Sequence, residues 1–218
     1  MGDKMETMIK FNNPREVLEF VKELGVYGKW KISSGFLNDR GKKIEIKNYT
    51  QKLRNLFNEK KFFRRSVSLA EVVSWMDSLN VMVRLLESLN KNLKKADYEK
   101  LGFLMEYVIK HSKLMRIDFI ILYENRILLI DFRLVDDFNK VKSTWSKKKQ
   151  ELLVYKELLQ NYIHSDYDVY TYAMIIMYEY VGNSGNQKHI KFNNDQIEHL
   201  ALYISDIIVN GNRNFLLL

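Results

Sequence analysis

Residues 116–134 constrain the fold more than any other part of the sequence. Two runs of β-branched and aromatic residues are separated there by Glu124-Asn125, and such runs around a short polar break predict a β-hairpin. In a two-residue loop, where asparagine is favourable because it tolerates positive φ, Tyr123 lies opposite Arg126 and the register of both strands follows. Apolar residues then fall on both faces, so we expect the hairpin at the centre of a core.

The same register predicts a concentration of charge at the open end of the hairpin. Asp118 lies opposite Asp131 and Arg116 opposite Arg133, and strand alternation places all four on one face. Opposed residues have Cβ atoms about 4.5 to 5.5 Å apart, and two carboxylates so close are unfavourable without a cation. Either the two arginines complete a four-charge structural network, or a divalent cation, Mg²⁺ or Mn²⁺, binds the carboxylate oxygens.

A third carboxylate, Glu106, precedes the hairpin in a segment whose apolar spacing predicts a helix over residues 96–112. Glu106 would then be either a ligand of the same cation or an ordinary solvated helical glutamate. No histidine has the spacing of a metal ligand, and the absence of cysteine excludes a thiolate site, a cysteine nucleophile and a disulfide framework.

The remaining patterns predict an α/β fold with a mixed central β-sheet flanked by helices on both faces. Asn13-Pro14 predicts a helix start, and Ser68 with Glu71 forms a capping-box pattern before a long helix. Residues 140–162 read as helix and residues 168–180 as a buried strand. Asn193 or Asn194 is expected to cap the last helix. The first 95 residues are mostly helical by the same criteria.

Charge and hydropathy limit the partners. The chain has 35 Lys and Arg against 27 Asp and Glu, a net charge of +8, which favours a polyanionic partner. No apolar run reaches the roughly 18 residues of a membrane span, and the first ten residues do not have the pattern of a signal peptide. We therefore expect a cytoplasmic protein without a membrane partner, acting alone or as a homodimer or larger complex.

The acidic residues, in their order, resemble a known family. Glu106, then Arg116-Ile117-Asp118, then Ile130-Asp131-Phe132-Arg133, then Glu151-Leu152-Leu153-Val154-Tyr155 is similar to the PD-(D/E)xK nuclease superfamily, nearest its RecB-like exonuclease branch. The similarity covers about residues 100–180. It implies a restriction-endonuclease-like core over residues 96–218, after an N-terminal region of residues 1–95, and Mg²⁺- or Mn²⁺-dependent hydrolysis of phosphodiester bonds, with DNA as substrate.

The resemblance also implies roles for individual residues. Glu106, Asp118 and Asp131 would bind the metal, and Glu151 stands where the family's QLxxY motif has glutamine. Arg133 stands where the family has lysine; it can stabilise a phosphate in the transition state but cannot act as a base. The contacts expected to nucleic acid come from four basic residues and one tyrosine: Arg116, Lys147, Lys148, Lys149 and Tyr155.

Three interpretations of the Arg133 departure stay open. A metal can make a base unnecessary, a lysine on the following helix, Lys147, can replace the family lysine, or catalysis has been lost. The last would leave a nuclease-fold module that binds nucleic acid or a protein partner. A further alternative is an unrelated α/β interaction protein whose charge network is purely structural.

Overall fold

The computed structural model describes residues 6–24, 36–38, 49–59, 69–109, 116–135, 137–182, 188–192 and 195–212. Among these residues seven strands form one sheet. The strands are β1 (Glu6–Phe11), β2 (Phe36–Asn38), β3 (Gly102–Val108), β4 (Arg116–Tyr123), β5 (Arg126–Val135), β6 (Asp168–Gly182) and β7 (Lys188–Phe192).

Six α-helices accompany the sheet in this part of the chain. They are α1 (Pro14–Glu23), α2 (Tyr49–Glu59), α3 (Leu69–Asn92), α4 (Lys95–Tyr98), α5 (Val141–Gln160) and α6 (Asp195–Tyr203). A 3₁₀ turn (Phe138–Lys140) precedes α5, and a π-helical segment (Ile204–Val209) continues α6. No described helix is both long and apolar enough to cross a membrane.

The strand order is β1-β3-β4-β5-β6-β7-β2. Strands β1, β3, β4 and β5 pair antiparallel, and β6 pairs parallel to β5 after the crossover through α5, which gives a five-stranded mixed sheet that β7 and β2 extend. One face packs on α1, α2, α3 and α6, and the other packs on α5. The prediction of an α/β fold with helices on both faces of a mixed sheet is confirmed.

The N-terminal elements share this sheet and core. Asn13 caps α1 by accepting a hydrogen bond from the Glu16 N–H at 3.1 Å, with Pro14 in the first turn, as predicted. β1 pairs with β3, and α3 packs on the same face as α6. The domain boundary between residues 95 and 96 stays a prediction. Elements from its two sides pair in the same sheet and share the same core. Ser68, Asn193 and Asn194 lie outside the described residues.

The central hairpin has the predicted register. Tyr123 pairs with Arg126, and the ladder continues to Phe119 opposite Ile130. Its loop differs from the expectation in one respect: Glu124, not Asn125, has positive φ, at 50°. Positive φ at the first loop position is typical of a type II′ turn, whose twist matches that of the two strands. The position that needs positive φ is therefore occupied by Glu124, whose Cβ makes this conformation unfavourable.

The helix predicted over residues 96–112 is wrong. Among the described residues of this range, which end at 109, helix is confined to Lys95–Tyr98, and Gly102–Val108 forms β3. Because β3 lies between β1 and β4 with a core on each face, both faces carry apolar residues. A strand buried on both sides has no alternation, so its apolar spacing imitates that of a helix.

Replacing Glu124 by glycine should stabilise the protein. Glycine adopts positive φ without the Cβ clash, which is worth roughly 1 kcal/mol, while the lost Lys100–Glu124 ion pair is exposed and contributes little. We expect Glu124→Gly to raise the free energy of unfolding by about 0.5 kcal/mol in urea denaturation.

Asn125→Gly is the matched control. Its φ is not positive, and its side-chain amide donates to the Asp166 carbonyl at 3.2 Å. This variant should be less stable than the parent chain. Equal effects of the two substitutions would show that the turn conformation described for Glu124 is incorrect.

Candidate active site at the hairpin

The structure brings Asp118 and Asp131 together at the open end of the hairpin. The backbone ladder between β4 and β5 ends at Phe119 and Ile130. Beyond it, Asp118 Oδ2 accepts a hydrogen bond from the Phe132 N–H at 2.8 Å. The two carboxyl groups are close enough to hydrogen-bond to each other, and Asp131 is buried. The hairpin therefore ends in a pair of adjacent carboxyl groups.

A lysine from α5 completes this pair. Lys148 Nζ lies 2.7 Å from Asp131 Oδ2 and 2.9 Å from Glu151 Oε2, with its side chain 20% exposed. Lys147, expected to reach the site, is exposed instead. One residue along a helix turns the side chain by about 100°, so only one of the neighbouring lysines can point at the sheet.

Arg133 does not take part in the network predicted for it. Its side chain is exposed, and no ion pair joins it to Asp118 or Asp131. The four-charge arrangement of two aspartates and two arginines is therefore wrong. The cation beside Asp131 is the ammonium of Lys148.

Arg116 lies on the other side of the sheet from α5, which contradicts its predicted face. Its Nη1 lies 3.0 Å from Glu71 Oε1, and its guanidinium lies over the Trp75 ring at 6.0 Å. Both partners belong to α3. Its Nε lies 2.9 Å from Glu106 Oε2, so Arg116 joins α3 to β3.

A break in strand alternation explains this change of face. Met105 pairs with Phe119, and Tyr107 pairs with Ile117. The first pair packs in the core on α3, yet the second packs in the core on α5. Between them Glu106 has a φ of 52°. A non-glycine residue there costs roughly 1 to 2 kcal/mol, so the packing on both sides enforces the distortion that reverses the faces.

Glu106 is a buried strand residue, not a helical one. Burial, Asp131 and Glu71 raise its pKa to about 7, against the lowering effect of Arg116 and a hydrogen bond from Trp75. Its Oε2 is near the Arg116 Nε but is not hydrogen-bonded, because the approach is close in distance and poor in angle. We regard the contact as an ion pair that leaves this oxygen incompletely satisfied.

The negative charges of this cluster also shift the pKa values of Asp118, Lys148 and Tyr155. Burial raises the pKa of Asp118 well above its ordinary value, and Asp131 and Glu106 raise it further, against the hydrogen bond from Phe132. Burial disfavours the charged form of Lys148, but Asp131 and Glu151 outweigh it, so its pKa is raised and it stays an ammonium. Burial, Asp131 and Glu151 raise the pKa of the half-buried Tyr155, which keeps its phenol neutral.

The donor set fits a hard divalent cation in part. Within the described ranges no group of three Asp, Glu or His side chains is arranged to hold a metal ion. Asp118 and Asp131 are nevertheless two adjacent carboxyl groups that require a cation to be ionised together, and Glu106 has an unsatisfied buried oxygen. Carboxylate oxygens are the ligands that Mg²⁺ and Mn²⁺ prefer. The pair is thus the candidate position for a metal ion.

Glu71 is a site residue that the sequence interpretation missed. Its position three residues after Ser68 marked it only as a capping-box glutamate, while in the structure it pairs with Arg116 across 45 positions of sequence. No local pattern indicates such a contact.

The chain matches no protein-family model, no curated protein and no solved structure.

The stability of the metal-free protein should depend on the protonation of this cluster. Glu106 and Asp118 have folded-state pKa values above their ordinary 4.5 and 3.8. At pH values between the ordinary and the raised pKa of each group, the folded state therefore binds more protons than the unfolded chain. Their contribution to stability is present at low pH and is lost as the pH rises through about 7 for Glu106.

Asp118→Asn should remove a large part of that loss, because its amide can donate to Asp131 without carrying charge. In urea denaturation with EDTA, we expect the variant to gain about 1 kcal/mol or more relative to the parent chain between pH 5 and pH 8. Asp166→Asn, at an exposed aspartate, is the matched control and should show no such gain. A parallel pH profile for parent and Asp118→Asn would contradict the described crowding.

Proposed function

We propose that this protein is a metal-dependent nuclease that hydrolyses phosphodiester bonds of nucleic acid, with DNA as the substrate. The observation that carries the proposal is the pair of adjacent carboxyl groups of Asp118 and the buried Asp131, with the Lys148 ammonium 2.7 Å from Asp131. Two carboxylates for a metal and a neighbouring cation for a phosphate are the components that phosphoryl chemistry requires.

The order of the elements supports the same proposal. Asp118 and Asp131 lie on adjacent antiparallel strands, and the helix that follows β5 supplies Lys148, Glu151 and Tyr155. This is the later part of the order on which the resemblance to PD-(D/E)xK nucleases rests; the helix glutamate that the resemblance also implies is not found, because Glu106 lies on β3. Membership of that superfamily, with a restriction-endonuclease-like core, is part of the proposal.

Asp118 and Asp131 would hold Mg²⁺ or Mn²⁺, and a bound ion would supply Lewis-acid polarisation of the phosphate. Glu106 forms an ion pair with Arg116, which lies on the α3 side of the sheet. We therefore assign Glu106 a supporting electrostatic role. Lys148, held by Asp131 and Glu151, can donate hydrogen bonds to a phosphate oxygen and offset its negative charge. Because it is an ammonium, it donates protons and does not act as a base.

The exposed cations near the site serve binding. Arg133 and Lys147 are exposed and can contact phosphates of the backbone, the interaction that dominates non-specific affinity. Lys149, predicted as a similar contact, projects about 100° away from Lys148 around α5 and lies away from the aspartates. Tyr155 keeps a neutral phenol that can donate to phosphate. Arg116 forms ion pairs with Glu71 and Glu106 on the α3 side of the sheet, so it is not part of the proposed nucleic-acid contacts. A homodimer or larger complex and a cytoplasmic location stay predictions.

One observation favours a second candidate, a catalytically degenerate module that binds nucleic acid or a protein. Lys148 forms ion pairs with both Asp131 and Glu151, and Arg133 stands in place of the family lysine. A charge cluster that is satisfied by itself can be purely structural. Metal binding and cleavage separate the two candidates.

Isothermal titration with Mn²⁺ tests the metal site. We expect binding to the parent chain at pH 7.5 and a loss of at least tenfold in affinity in Asp118→Asn and in Asp131→Asn, because each removes a carboxylate ligand. Asp166→Asn should bind as the parent does. If parent and both site variants show the same response to Mn²⁺, the cluster is structural.

Cleavage of a radiolabelled DNA in Mg²⁺ tests the catalytic assignment. We expect Asp131→Ala to abolish cleavage and Lys148→Ala to lower its rate at least 100-fold, while Lys147→Ala lowers it less than tenfold because that side chain points to solvent. Thermal unfolding of each variant shows whether the fold is intact.

Two results would count against the assignment. A larger loss in Lys147→Ala than in Lys148→Ala would mean that α5 is rotated relative to the described arrangement. Metal binding without cleavage of single- or double-stranded DNA or RNA would favour the degenerate module.

A further inference from the structure

Over residues 169–177, one edge of strand β6 is not paired with another strand in the described part of the chain. The strand pairs with β5 from Asp168 to Met177, and with β7 from Tyr178 to Gly182. On the side opposite β5, no strand in the described part of the chain pairs with residues 169–177. Every second residue of this segment therefore presents its backbone N–H and C=O away from the sheet.

A groove of about 1080 Å³ runs along this edge. Six consecutive residues, 168–173, line it. Successive side chains of a strand point to opposite faces: Val169 and Ala173 pack in the core on α5, whereas Tyr170 and Tyr172 pack against the core on α6. A cavity that contacts all of them must follow the strand edge, since one that lay on a single face would contact alternate residues.

Side chains of two helices form the walls of the groove. On the α5 side Trp145 is 43% exposed, and Lys149 Nζ lies 4.9 Å from the centroid of its ring. On the α6 side His199 Nδ1 is hydrogen-bonded to the Tyr172 hydroxyl at 2.6 Å. The β6 edge is thus recessed between helices on both faces of the sheet.

We propose that this groove binds an extended acidic peptide segment of a partner protein, which pairs with β6 as an additional strand beside residues 168–173. Strand addition uses the unpaired backbone groups for affinity and the side chains of the walls for selectivity. Six residues of extended chain span about 20 Å. The added strand lies along the same edge that β7 covers further on.

Charge decides which peptide fits. The groove is lined by Lys149 and Lys156 against a single carboxylate, Asp168. Both lysines come from α5, so acidic side chains that face α5 on alternate positions of the peptide are favoured, and basic ones are repelled.

The recessed edge excludes symmetric pairing with the β6 edge of a second copy of this chain. Its own β6 edge lies between its own helices, so two such edges cannot approach to hydrogen-bonding distance. Single-stranded nucleic acid is disfavoured for a different reason: it has no amide backbone to complete the ladder.

The groove is also separate from the candidate active site. On one flank of α5, Lys148 contacts Asp131 and Glu151 contacts Lys148, while Lys149, turned by about 100°, lines the groove on the other flank. The proposal therefore does not rest on the nuclease function.

Residue-resolved hydrogen exchange by NMR tests the proposal on the full chain. The probes are seven-residue peptides in which glutamate alternates with valine, isoleucine or threonine, matched peptides with lysine in place of glutamate, and a 15-nucleotide oligothymidylate. We expect acidic peptides to slow exchange at alternate amides of residues 168–173, those that do not bond to β5, and lysine peptides to have no effect. Absence of this alternate pattern with all the acidic peptides at millimolar concentration, or its appearance with oligothymidylate instead, overturns the proposal.

Charge reversal supplies a second measurement. The Lys149→Glu/Lys156→Glu variant should weaken binding of the acidic peptides at least tenfold. Lys142→Glu/Lys147→Glu changes the same charge at exposed α5 positions outside the groove and should weaken it less than threefold. Equal weakening in both variants means that the attraction is to the overall charge, which also overturns the assignment to this groove.

Discussion

The adjacency of the Asp118 and Asp131 carboxyl groups is the interaction on which the rest of the site depends. Their pairing at the end of the hairpin places negative charge inside the sheet, where burial already disfavours it. The neighbouring elements supply the compensation. Lys148 reaches Asp131 from α5, and Phe132 donates its N–H to Asp118. Each of these contacts fixes the position of one element relative to the hairpin.

A second charge cluster on the opposite face ties α3 to the same strands. Arg116 binds Glu71 and approaches Glu106, whose positive φ reverses the faces of β3 and β4 at that point. Strained backbone and a buried, incompletely satisfied carboxylate persist only where the surrounding packing is strong enough to maintain them. Such strain clusters at functional sites, so its presence beside the aspartates supports the proposed active site.

Helix α5 has two functions in these proposals. Its central stripe, including Leu152 and Leu159, packs on the sheet. Lys148, Glu151 and Tyr155 approach the aspartates from one flank, and Trp145, Lys149 and Lys156 form the wall of the groove on the other. Because helix rotation couples the two flanks, the packing that places Lys148 at Asp131 also places Lys149 at the β6 edge.

The sequence by itself determined the features that depend on short-range geometry. A two-residue loop sets the register of the hairpin, so the meeting of Asp118 and Asp131 followed from counting residues, as the Asn13 cap followed from local hydrogen bonding. Only the tertiary structure decided that Glu106 lies on a strand, that Arg116 faces α3, and that Lys148 enters the site in place of Lys147 or Arg133. These outcomes depend on what packs against each face of the sheet and on the rotation of α5. Apolar spacing alone cannot separate a strand buried on both faces from a helix, nor can it say which of two adjacent lysines points inward.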